Sequence, residues 1–209
     1  MKQLVFFMLV MPTIALTLGS AAFAQNVGDN SIYFVTYFSN ANTAGAPDEV
    51  VRIINDGDQA TTDVEGVENG TLWASLYVLD DSQEMEECCS CAVTADGLTS
   101  ESVNQELTAS TFSARTEVSR GVIKIISSSV QAGGPTNFTN ALAPGLRVWA
   151  THIQRLTSEA GGFYVSESRA ADANLGSTEK GDLETVCMWI NALGSGWGVC
   201  SCTPQDQDF

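Results

Sequence analysis

One histidine, His152, stands in a chain of 209 residues, and that scarcity excludes more than any motif includes. A Ser-His-Asp or Cys-His nucleophile would have to use it. It lies in a stretch that alternates like a strand, with no nucleophile beside it, and reads as a solvated or satisfied residue. Cationic residues are nearly as scarce: 9 Lys and Arg against 25 Asp and Glu give a formal charge of −16. Binding to a phosphate backbone needs the opposite sign, so nucleic acid and anionic lipid surfaces are excluded as partners. Divalent cations and basic partners remain, as does plain solubility. No internal repeat or low-complexity tract is present.

Long apolar runs are also missing, except at the start. Lys2 is followed by a run from Leu4 to Leu18, then small residues ending in Ala22-Phe23-Ala24. That is the pattern of a secretory signal peptide over 1–24, too short for a membrane span of about 20 residues. The expected product begins at Gln25 as a single domain over 25–209 with no membrane span, secreted or extracytoplasmic at the cell surface or in the periplasm. It loses Lys2 and no acid, so 8 basic residues face 25 acids, a charge of −17.

What the sequence does hold is cysteine, in two groups of three: Cys88, Cys89 and Cys91, then Cys187, Cys200 and Cys202. An even count in an exported chain reads as a disulfide framework, whereas cytosolic cysteines would suggest zinc or an iron-sulfur cluster. The C-C-x-C and C-x-C arrangement differs from paired zinc knuckles, and no thiol-exchange motif opens a helix. Sequence leaves about 15 pairings open. Alternation on a strand puts Cys89 and Cys91 on one face and Cys88 on the other. The expectation is therefore Cys89 and Cys91 to Cys200 and Cys202, with Cys88 reaching Cys187 on a neighbouring helix.

Short β-branched and aromatic stretches predict strands over 31–39, 49–55, 71–80, the cysteine segment, 106–114, 121–130, 146–156 and 162–168, with a last one in 194-GSGWGVCSC-202. Many short strands at intervals of about ten residues indicate a β-sandwich. One helix is predicted over 179–193, where Leu183, Val186, Cys187, Ile190 and Leu193 form a single stripe and Gly194 sits at the C-cap. The fold expectation is a mostly β, disulfide-stapled sandwich with one C-terminal α-helix.

Chemistry is thin. Ser195 lacks the flanking glycines of a nucleophile elbow, Leu193 and Trp197 standing in their places. Acidic turns offer calcium the hard oxygens it prefers: Asn55, Asp56, Asp58 and Asp63 in one, Asp80, Asp81, Glu84, Glu86 and Glu87 in another. Trp73 and Trp149 are candidates for an aromatic platform, although tryptophans such as Trp73, Trp149, Trp189 and Trp197 more often belong to a core. Asn69-Gly70-Thr71 and Asn137-Phe138-Thr139 fit the glycosylation sequon.

The run 76-LYVLDDSQEMEECCSCAVTADGLTSESVNQELTA-109 with the closing GSGWGVCSC resembles a group of uncharacterised exported bacterial proteins that carry a Y-V-x-D-x-x-Q-E, C-C-S-C, T-x-D-G-L core. The resemblance implies a bacterial, extracytoplasmic setting and brings no catalytic residues. The leading expectation is a non-enzymatic exported structural or interaction protein: a cell-surface, matrix or filament subunit, or an adhesion module. Residues 31–39 are its candidate for self-association by strand addition. A carbohydrate-binding module with glycans as partners is the alternative, and a carboxylate-dependent hydrolase the second alternative. No cofactor is expected beyond calcium.

Overall fold

In the computed structural model, residues 30–58, 69–113, 118–129, 141–157 and 161–202 are described. The segment 1–24, Asp63 and the sequon at 137–139 lie outside the described residues. Those described form nine strands and one α-helix: β1 Tyr33–Ser39, β2 Val50–Asn55, β3 Leu72–Asp80, β4 Met85–Val93, β5 Leu98–Ser102, β6 Arg120–Ser128, β7 Leu146–Arg155, β8 Phe163–Arg169, β9 Ala171–Asp172 and α1 Ser177–Ala192. Two antiparallel sheets result, ordered β4-β3-β6-β1-β9 and β5-β2-β7-β8. The fold is a disulfide-stapled β-sandwich with one C-terminal helix.

The period-two pattern sorts the first sheet into two faces. Leu72, Ala74, Leu76 and Val78 of β3 point with Ile123 and Ile125 of β6 into a core shared with Val51, Ile53, Leu146 and Val148 of the second sheet. Burying each large apolar side chain there contributes about 1.5–3 kcal/mol. Tyr77 and Ile126 point the opposite way, into a second cluster with Leu183, Cys187 and Ile190 of α1. The molecule thus stacks helix, sheet and sheet.

Both long edges of the first sheet are closed by unusual means. On β4, the Phe112 N–H donates to Glu86 O at 2.8 Å, the Cys88 N–H to Gly198 O at 2.9 Å and the Cys200 N–H to Cys88 O at 3.4 Å. On β1, β9 pairs only with Phe34 and Val35. Beyond it, buried side chains replace the missing strand: both Glu49 carboxylate oxygens lie 3.2 Å from the Ser39 N–H, and His152 Nδ1 lies 3.2 Å from Tyr37 O. Over residues 33–39, where strand addition was expected, β1 pairs along its whole length with β6, and its other edge meets β9, Glu49 and His152.

Three expectations are corrected. Residues 106–113, the described part of the strand expected over 106–114, are not a strand: a single π-helical turn spans Val103–Leu107, nucleated when Ser102 Oγ accepts the Gln105 N–H at 2.9 Å and the Asp48 carboxylate takes the Asn104 N–H at 3.0 Å. The closing GSGWGVCSC is not a strand either. Positive φ at Gly194, Gly196 and Gly198 curls it, and only Val199 bridges to Cys88. Conversely β5 forms where turn chemistry dominates the sequence, because β2 offers it a partner from Val50 to Ile54.

Candidate functional site

α1 is placed by anchors along its length. Near its start, Glu179 Oε1 accepts the Tyr33 hydroxyl at 3.1 Å and also pairs with the Lys124 ammonium. The Lys124 hydrogen bond holds the Glu179 carboxyl below its ordinary range, while burial and then Glu179 push the Tyr33 phenol up. At mid-helix Cys88–Cys187 bonds the helix to β4, with Cα atoms 5.9 Å apart. Asn191 Nδ2 donates back to Cys187 O at 2.9 Å and lies 3.4 Å from Cys187 Sγ.

The other pairs are Cys89–Cys200 and Cys91–Cys202. This is the crossed arrangement expected from strand alternation, and it leaves no free thiol for a metal among the described residues. Gly198 makes it sterically feasible: a Cβ there would sit 2.5 Å from Ile190 Cγ2, so the returning chain passes against the helix only as glycine.

The stripe predicted for α1 is wider than the surface it covers. Leu183, Cys187 and Ile190 are buried, but Val186 is 42%, Trp189 63% and Leu193 62% exposed. Two cavities of about 380 and 510 Å³ follow this uncovered side, meeting at Gln83, Met85 and Val186. Leu79, Met85, Leu183 and Ile190 supply apolar floor, and Phe112, Trp189 and Leu193 close the far end. Trp197, half exposed, adjoins Gly198 where the chain passes Ile190 and Phe112.

The residues singled out from sequence are differently disposed. Asn55 is fully buried as a bolt, donating to Gly70 O at 2.8 Å and Val93 O at 2.9 Å while accepting the Gly57 N–H at 3.0 Å. Asp56 is engaged by Arg147 at 2.9 Å and by the Asp58 N–H at 3.2 Å. Asn55, Asp56 and Asp58 thus serve their own turn, and Asp63 is outside the described residues. In the second acidic turn, Asp80, Glu84 and Glu86 bring carboxylate oxygens within 4.8 Å of one another. Asp80 Oδ1 accepts the Ser82 and Glu84 N–H groups at 2.9 Å, and Glu86 Oε2 accepts the Ser113 N–H, also at 2.9 Å. Asp81 pairs with Arg120. Glu87 is buried, one oxygen taking the Ser110 N–H at 2.6 Å and the other without a partner.

Trp73 and Trp149 do not form one platform. Each is half-buried on the outward face of a different sheet, Trp73 on β3 and Trp149 on β7. His152 is buried and satisfied. Its Nδ1 meets the Tyr37 carbonyl, so that nitrogen carries the proton, and Nε2 accepts from the Ser168 hydroxyl at 2.8 Å. The imidazole stacks on the Tyr37 ring at 4.2 Å, and burial lowers its pKa against the opposing Tyr37 hydrogen bond. Sequence separation hid the Ser168 contact, which pairing of β7 with β8 creates.

No family model, curated protein or solved structure matches this chain. Three disulfides belong to an oxidising setting. Among the described residues, no helix is long and apolar enough to cross a membrane.

Proposed function

We propose that the chain is an exported, non-enzymatic interaction or structural protein of the bacterial cell surface or extracytoplasmic matrix, its leader ending at Ala24. One observation carries the reading: α1 is fixed to the sandwich by Cys88–Cys187 while Val186, Trp189 and Leu193 are left uncovered. A helix held for stability alone gains nothing from exposing indole and leucine side chains, whereas a docking face needs large apolar anchors on a rigid support. Acidic charge keeps such a protein soluble until its partner arrives.

The test is site-directed photo-cross-linking in the compartment that holds the exported protein. A photoreactive residue at 189 or 193 is expected to capture a macromolecule, and the same residue at exposed Tyr164 on β8 is not. Equal capture at both sites, or none at 189 and 193, would remove this reading.

A further inference from the structure

The occupant of the groove is recognisable from its walls. End to end, one cavity lined from Glu179 to Val186 and the other from Val186 to Leu193, the two follow α1 for about 21 Å at 1.5 Å per residue. Their rims carry four carboxylates that reach solvent, Asp80, Glu84, Glu179 and Asp182, while the Glu86 that also lines them is buried. Among the described residues, the one cation lining them, Lys124, is already paired with Glu179. An apolar floor between acidic rims is complementary to a segment with apolar side chains on one face and lysine or arginine along its flanks.

Backbone accounting then selects the segment's conformation. Strand addition needs unpaired N–H and C=O groups at an edge. Beside the groove, β4 has its edge groups at Glu86 and Cys88 engaged by Phe112, Gly198 and Cys200. An incoming chain must therefore satisfy its own backbone and dock by side chains, as a helix does. The anchors waiting for it, Val186 and Trp189 on α1 and Leu193 at its C-cap, are spaced three and four residues apart.

We infer that the groove between α1 and the β3–β4 hairpin is a docking site for a basic amphipathic helix of a partner protein, about four turns long. This rests on the interaction reading above and adds the chemistry of the partner. Trp189 and Leu193 form its apolar anchor, and Glu84 and Asp182 on opposite sides set its charge preference. Cys88–Cys187 keeps the two walls in register.

The test titrates the exported protein with two synthetic helical peptides of about 15 residues that share one leucine face and differ only in lysine or glutamate flanks. The lysine peptide is expected to bind, with a shift in tryptophan emission that Trp189→Ala abolishes. Affinity should fall about tenfold in Leu193→Ala and several-fold in the Glu84→Gln/Asp182→Asn pair, and binding should weaken as salt rises. All of these variants alter exposed or rim side chains, and circular dichroism with an unchanged melting point shows that each folds.

Equal binding of the glutamate peptide overturns the charge assignment. Binding of neither peptide overturns the proposal while leaving the interaction reading standing if the cross-links at 189 and 193 persist; loss of both overturns the two together. A concentration-dependent doubling of mass that Trp189→Ala abolishes would make a second copy of this chain the occupant. A neutral oligosaccharide that shifts Trp189 emission without peptide would make it a glycan, and either result overturns the helix.

Discussion

The two faces of the five-stranded sheet are built from the same strands and end in opposite conditions. On the inner face, Phe34, Leu76, Ile123 and Ile125 meet the second sheet, all of them buried. On the outer face, a single helix covers Tyr33, Tyr77, Cys88 and Ile126 and leaves its own Val186, Trp189 and Leu193 in solvent. A sheet facing a sheet closes its core along its full width, whereas one helix, about 10–12 Å across, covers roughly two strands. The inner face is where stability is concentrated. The outer face, secured by a covalent bond, is free to offer surface.

That contrast predicts graded responses. The largest belongs to the inner face: Leu76→Ala should cost about 3–5 kcal/mol in denaturant unfolding, since Leu76 is fully buried and two sheets leave little room to collapse onto the void. Leu183→Ala, under the helix, should cost about 2 kcal/mol, because α1 can settle into the gap. A reversal of that order would break the contrast.

The disulfide comes next. Cys88–Cys187 spans 99 positions, but with Cys89–Cys200 intact the added loop is only one step from 88 to 89 and thirteen from 187 to 200. For a loop of about 15 residues the chain-entropy estimate is about 3 kcal/mol. The double change Cys88→Ala/Cys187→Ala should therefore lower stability by about that amount while the inner core stays packed. Near-ultraviolet circular dichroism and urea melts check both points.

Acidity sharpens the comparison at the edge of the outer layer. Burial pushes Glu87 from its ordinary 4.5 up to about 7, against the Ser110 N–H that opposes the shift, and it pushes Glu49 up to about 7 as well. A carboxyl whose folded pKa is raised stabilises the fold below the unfolded value and loses that contribution as pH climbs to the folded value. Stability should thus fall between about pH 4.5 and 7, by up to about 3 kcal/mol per group. Glu87→Gln removes one share, so its urea midpoint should rise relative to the parent at pH 8 and converge with it at pH 4. The smallest effect is Trp189→Ala, within about 0.5 kcal/mol in stability, despite its expected loss of peptide binding.

Much of this contrast was legible in the sequence. Seven strands and the helix lie within about two residues of their expected places, because period-two and three-to-four-residue patterns record which side of an element is buried. The crossed cysteine pairing was legible for the same reason. What escaped depends on contacts remote in sequence. The β-branched and aromatic residues of 106–113 are overruled by Asp48 and Ser102, which nucleate a helical turn. β5 exists because β2 lies beside it. The apolar stripe of α1 showed five positions without revealing that the sheet reaches only Leu183, Cys187 and Ile190.

Hydrogen–deuterium exchange of the oxidised protein and of its Cys88→Ala/Cys187→Ala variant tests most directly whether the sandwich is self-sufficient and the helix a covalently held docking face. In the parent, β3 and β6 should exchange slowest and α1 at an intermediate rate. In the variant, α1 should exchange much faster while β3 and β6 keep their protection. Loss of protection in β3 and β6 together with α1, or an α1 unchanged by removal of the bond, would contradict it.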